Sequence, residues 1–128
     1  VPPKIYAIDT GVLQAMTFRQ SPNFGPILET LVYLHLRRTG HRIEFVRTTE
    51  GYEVDFLAQD PIDGRSQLIQ VCHDLSPGKT LDREIRALDK AQAELDIHRA
   101  TIVTWDDETT LPNGIQTIPA WKFLLKKD

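Results

Sequence analysis

The stretch YEVDFLAQDPIDGRSQLIQVCHDL, residues 52–75, alternates apolar and polar side chains on both sides of a turn, and this pattern constrains the fold most. It predicts two strands, around 52–59 and 67–73, joined by DPIDG. Successive strand residues face opposite ways, so Val54 and Phe56 share one face with Ile69 and Val71 as partners. Glu53, Asp55 and Leu57 take the other face, with Leu68, Gln70 and Cys72. Closure at Ile62-Asp63 sets Asp55 opposite Gln70; closure at Asp63-Gly64 sets it opposite Cys72. Either register keeps Asp55, Gln70 and Cys72 together. A one-residue slip would separate them and leave Val54 and Phe56 without apolar partners.

The remaining segments supply helices for such a sheet to pack against. KIYAI (4–8) reads as a strand and Asp9-Thr10-Gly11 as a turn. VLQAM follows as a short helical turn, and residues 21–26 as a loop. A helix is expected over about 26–39, with Pro26 in the first helical position after Gly25 and a stop at Gly40. Its apolar residues surround most of the axis, so it should be deeply buried. RIEFVR (42–47) is a strand. Leu81, Ile85, Leu88 and Leu95 repeat at helical spacing and predict an amphipathic helix over 80–97. ATIVTW (100–105) is a buried strand, IQTIP a last short one, and AWKFLLKK a final helical turn. The order of elements implies an α/β fold with a mixed central sheet flanked by helices.

A chain of 128 residues, 41% of them hydrophobic, supports one core and so a single domain over 1–128. The net charge of −3 supplies no global attraction to nucleic acid, so any such contact must use local basic patches, and protein contact is slightly favoured. One cysteine suits a reducing compartment, and a cytoplasmic location is expected. No apolar run approaches the roughly 20 residues of a membrane span, so no membrane partner is expected, and no signal-peptide pattern is present. The chain opens on VPPKIYAIDTG without Met and enters a strand almost at once, which reads as a piece of a longer polypeptide.

Glu29 falls within the apolar stripe near Val32, Tyr33 and Leu36, where a carboxylate needs a metal, a base or backbone N–H groups. It also lies in the first helical turn, where negative charge is favoured without any ligand. Cys72 and His73, adjacent on a strand, face opposite ways and cannot form a thiol–base pair. Cys72, His73 and Asp74 lack chelating spacing. Arg37, Arg38, His41 and Arg42 form a basic cluster at a helix end, suited to capping the helix dipole or to contacting phosphate.

In this order, KIYAIDTG, LETLVYLHLRR, EVDFL, LIQVCHDL, REIRAL and IVTWDDE resemble the C-terminal domain of a group of prokaryotic AAA-type ATPases. That domain is similar to the PD-(D/E)XK superfamily, the restriction-endonuclease-like fold. The resemblance runs from Lys4 to about Leu125. IDTG and QVC are fairly specific to the group, whereas the acid on a strand is shared with the whole superfamily. It implies an αβββαβ core and, upstream, an ATPase module with a winged helix as the partner in the same chain. No GxxxxGK[ST] motif occurs here, so this segment should not bind ATP by that route.

By position, the resemblance makes Glu29 the helix acid, Asp55 the strand acid, Gln70 the E/Q residue, and Cys72 the occupant of the lysine position. Glu29 and Asp55 would be the Mg²⁺ ligands, holding the ion weakly. Cys72 cannot orient water or add positive charge as lysine does. Some relatives move the lysine to the next helix, where Lys79, Arg83, Arg86 and Lys90 are available, Arg83 and Arg86 foremost. Arg37, Arg38, Arg83 and Arg86 are the candidate nucleic-acid contacts. The leading expectation is a catalytically impaired accessory domain acting in nucleic-acid or protein binding. An active Mg²⁺-dependent nuclease with a migrated base and a structural or oligomerisation module of the ATPase are the alternatives, so whether the domain is an enzyme stays open.

Overall fold

A computed structural model describes residues 24–72, 75–76, 78–109 and 111–125. The expected strand at 4–8, its turn, the VLQAM helical turn and residues His73 and Asp74 lie outside this set. Helix α1 (Phe24–Arg38) is followed by strands β1 (Arg42–Arg47), β2 (Glu53–Gln59) and β3 (Ser66–Val71). Helix α2 (Lys79–Leu95), strand β4 (Ala100–Thr104), a 3-10 turn (Pro112–Gly114), strand β5 (Gln116–Pro119) and helix α3 (Ala120–Leu125) complete the order. The five described strands form one sheet in chain order. β1, β2 and β3 are an antiparallel meander, while β3, β4 and β5 run parallel. Parallel neighbours require a crossover, and α2 supplies the one between β3 and β4.

The chain is a mixed α/β fold with helices on both faces of the sheet. Leu28, Leu31, Val32 and Leu36 of α1 pack with Phe56, Ile69, Val103 and the α3 residues Ala120 and Phe123. On the other face Leu81, Leu88 and Ala91 of α2 pack with Leu68, Ala100, Ile102 and Ile115. Consecutive residues of β3 and β4 thus enter opposite cores, which is why LIQVC and TIVTW read as nearly unbroken apolar runs.

Helix α1 stops through paired backbone bonds: Gly40 N–H reaches Arg37 O at 3.1 Å and His41 N–H reaches Leu36 O at 3.0 Å. Gly40 adopts φ +81°, a conformation glycine takes without a side-chain clash. The N-terminus differs from expectation. α1 begins at Phe24, so Pro26 is the third helical residue; first-turn amides have no intrahelical acceptor, and its missing N–H costs nothing there. α2 ends at Leu95 instead of 97 because Asp96 turns left-handed (φ 56°, ψ 46°).

The hairpin register is the one that closes at Ile62-Asp63. Leu57 pairs with Leu68 and Phe56 with Ile69, which sets Asp55 opposite Gln70. Asp60 shapes the turn, its Oδ1 accepting the amides of Ile62 (2.7 Å) and Asp63 (3.2 Å). Val54 departs from the expected alternation. It packs with Val46 in the α2-side core, whereas Phe56 enters the α1-side core. Two irregularities account for this: β2 carries an extra residue, Asp55 and Phe56 together lying opposite Phe45 of β1, and the regular β2–β3 ladder ends at Phe56–Ile69. A bulge re-aims the residues beyond it.

Candidate functional site

Beyond Phe56 the two hairpin strands are held by side chains in place of backbone carbonyls. Asp55 N–H donates to Gln70 Oε1 at 2.7 Å, and Gln70 Nε2 donates to Glu53 O at 3.3 Å. In return Val71 N–H donates to Asp55 Oδ2 at 2.8 Å. Gln70 is buried and its amide is used at both ends, as a buried polar group requires. A glutamate at this position could accept from Asp55 N–H but could not donate to Glu53 O while ionised. The neutral Gln70 is therefore matched to its surroundings.

Opening the ladder makes Asp55 accessible from both helical layers. Glu29, one turn into α1, hydrogen-bonds to it, and Glu84 of α2 adds a second negative charge nearby. Burial is the largest influence on Asp55 and raises its pKa to about 7; the Val71 N–H opposes this, while the Glu29 charge, the Glu29 hydrogen bond and the Glu84 charge add to it. The bond to Glu29 exists when Asp55 carries the proton, which is why it favours the neutral form. Glu84 is itself raised by burial, with Arg83 pulling the other way. A carboxyl poised near neutrality in a cleft is a common mark of a functional site.

The cleft in front of the acid pair has a volume of about 320 Å³ and is bounded by Glu29, Phe45, Val46, Arg47, Glu53, Val54 and Asp55. Phe45 lies opposite the β2 bulge and is 77% exposed, although its ring lies 6.0 Å from that of Phe56. Arg47 brings the cation nearest the acids among the cleft-lining residues.

The other candidates from the sequence are placed elsewhere. Cys72 is buried in the α2-side core with Leu75 and Leu81, and its N–H completes the sheet to Val103 O at 2.9 Å. Arg83 is exposed and lies 3.9 Å from Glu84, Arg86 and Lys79 are exposed, and Lys90 faces Glu50 at 3.8 Å. The α2 side chain that bears on Asp55 is thus an acid. Arg37 donates to Tyr33 Oη at 3.0 Å and Arg38 approaches His35 Nδ1 at 3.3 Å. Both sit at the far end of α1 from Glu29, about 13 Å away at 1.5 Å per residue.

Sequence reasoning missed Glu84, Arg47 and Phe45. The first had a signal: Glu84 falls three residues after Leu81 and four before Leu88, inside the apolar stripe of α2. The other two face the acids through a β1–β2 register shift that no residue pattern announces.

No known family model matches the chain, and no solved structure matches it significantly. It is similar to the uncharacterized protein MJ1544 of Methanocaldococcus jannaschii, with 36% identity over 134 residues. That similarity covers 95% of this chain and 29% of the archaeal protein. Among the described residues no helix is long and apolar enough to cross a membrane.

Proposed function

We propose that the chain is a restriction-endonuclease-like accessory domain of an AAA-type ATPase that keeps its acid pair, lacks the catalytic base, and contacts nucleic acid without cutting it. The observation that carries this is the meeting of Glu29 and Asp55 at the opened end of the hairpin, with Gln70 beside them and Cys72 buried where the base would stand. The order of helix, antiparallel meander, helix and parallel strand supports the reading, since it is the αβββαβ order the resemblance implies. Similarity to a segment of a much longer protein suits a domain working beside other modules. Contact with nucleic acid is favoured over contact with protein by the rim of the cleft: Arg47 offers a fork for phosphate and the exposed Phe45 a surface for a base.

Glu29 and Asp55 suit Mg²⁺, which takes one or two carboxylates and keeps several waters. Two carboxylates with water completing the shell would hold the ion weakly. Bound there, the ion would supply Lewis-acid activation of water and phosphate. Without a cation, Asp55 holds its proton against Glu29. Arg47 can offset phosphate charge at the rim, and a guanidinium cannot serve as a base.

A titration with Mg²⁺ or Mn²⁺ tests the acid pair. The amide resonances of Asp55 and Val71 are expected to shift, with affinity rising between about pH 6 and about pH 8 as the cation displaces the Asp55 proton. Asp55→Ala should remove the response. Shifts that persist in Asp55→Ala, or none in the parent chain, would contradict the assignment of these residues.

A further inference from the structure

A second pocket of about 300 Å³ lies at the opposite end of the sheet, between the C-terminal end of α1, α3 and the starts of β3, β4 and β5. Its floor is polar where the sheet would ordinarily be apolar. Ile69, Val103 and Ile118 belong to the α1-side core, and two residues earlier on the same strands stand Gln67, Thr101 and Gln116. Thr101 Oγ1 lies 3.4 Å from Gln67 Oε1, which joins two of the three across neighbouring strands. No described residue hydrogen-bonds to the side-chain amide N–H groups of Gln67 or Gln116, so both retain donors.

The rim is cationic. Arg65 and Arg99 both line the pocket and are exposed, and their guanidinium groups make no hydrogen bond or close ion pair with a described residue, although the Arg99 charge is felt by Asp60. Lys122 stands opposite but is occupied by Glu108 at 2.9 Å. Asp60, the other acid, spends one oxygen on the turn amides and has His41 Nε2 4.0 Å from the second. Two guanidiniums without a close acid partner, over a floor that retains the side-chain amide donors of Gln67 and Gln116, suit a compact, multiply charged anion with oxygens on several sides. A planar carboxylate would leave half of the donors unused.

We propose that this pocket binds a phosphate group, with Arg65 and Arg99 taking its charged oxygens and the amides of Gln67 and Gln116 the remainder, while Thr101 holds the Gln67 side chain in place. The source is either a free phosphate ester or the terminal phosphate of a nucleic-acid strand. The site is independent of the acid pair, which lies roughly 10–17 Å away along the strands at about 3.3 Å per residue.

The test is a titration of the 128-residue chain with inorganic phosphate, followed through the side-chain amide resonances of Gln67 and Gln116. Phosphate should shift both, and Arg65→Ala or Arg99→Ala should weaken binding about tenfold or more. Both arginines are exposed, so neither variant should unfold the chain. Lys90→Ala, which removes an equal charge on α2, should leave binding unchanged. Short single strands with a 5′-phosphate and with a 5′-hydroxyl separate the sources. Binding of the phosphorylated strand alone assigns a strand end, and binding of phosphate without either strand assigns a free ester. Absence of phosphate-dependent shifts, or an equal loss in Lys90→Ala, would overturn the proposal.

Discussion

Truncation of Leu31 or Leu88 to alanine is expected to lower the unfolding free energy by about 2–5 kcal/mol, the range for buried leucines whose cavities only partly collapse. Leu88 has no exposed surface and Leu31 is 4% exposed, and the two sit in opposite cores, so each variant reports on a different face of the sheet. The case is stronger for Leu88. Helix α2 has Gly78 before its first residue and no side-chain bond capping its N-terminus. A 17-residue helix of this kind draws most of its stability from its packed stripe. Urea unfolding monitored by circular dichroism measures the change. A midpoint shift worth less than about 1 kcal/mol at Leu88 would mean that α2 presents another face to the sheet.

Asp55→Asn should have the opposite sign. Asp55 is raised from 3.8 to about 7 in the folded chain, chiefly by burial. The folded state therefore binds the proton more tightly than the unfolded state. Below about pH 4 both states are protonated and the group contributes no difference. Between about pH 4 and about pH 7 the unfolded chain releases the proton while the folded chain keeps it, so stability falls across that window and the loss is complete once pH passes about 7. Asparagine keeps an oxygen for Val71 N–H and brings an N–H to face Glu29, with no charge to bury. After allowance for partial exposure and coupling, the variant should be more stable at pH 8 by on the order of 1–3 kcal/mol. It should be nearly level with the parent at about pH 4. A variant no more stable than the parent at pH 8 would show that the cleft solvates the Asp55 charge. Stability surrendered at one position is the usual mark of a site kept for function.

Local chemistry carried most of the architecture. The span of β1 and the Gly40 helix stop followed from residue type and period, because each is decided within a few neighbours, and the hairpin pattern narrowed the register to two closures, of which the chain takes Ile62-Asp63. The convergence of Asp55 with Gln70 followed from that register. What escaped was set by distant partners. Glu84 bears on Asp55 because the α2 crossover brings it back over the hairpin. The polar floor of Gln67, Thr101 and Gln116 exists only through the parallel pairing of β3, β4 and β5. The β2 bulge at Asp55–Phe56 moved Val54 to the other core, and nothing in EVDFL marks it.

The most direct test of the account is strand cleavage. Single- and double-stranded DNA and RNA would be incubated with Mg²⁺ or Mn²⁺ and either the parent chain or Asp55→Ala. A catalytic base or charge stabiliser commonly supplies a rate factor on the order of 10²–10⁴, and here Cys72 is buried in core while α2 presents Glu84. Background cleavage is expected from both proteins. Robust cleavage by the parent chain that Asp55→Ala abolishes would contradict it.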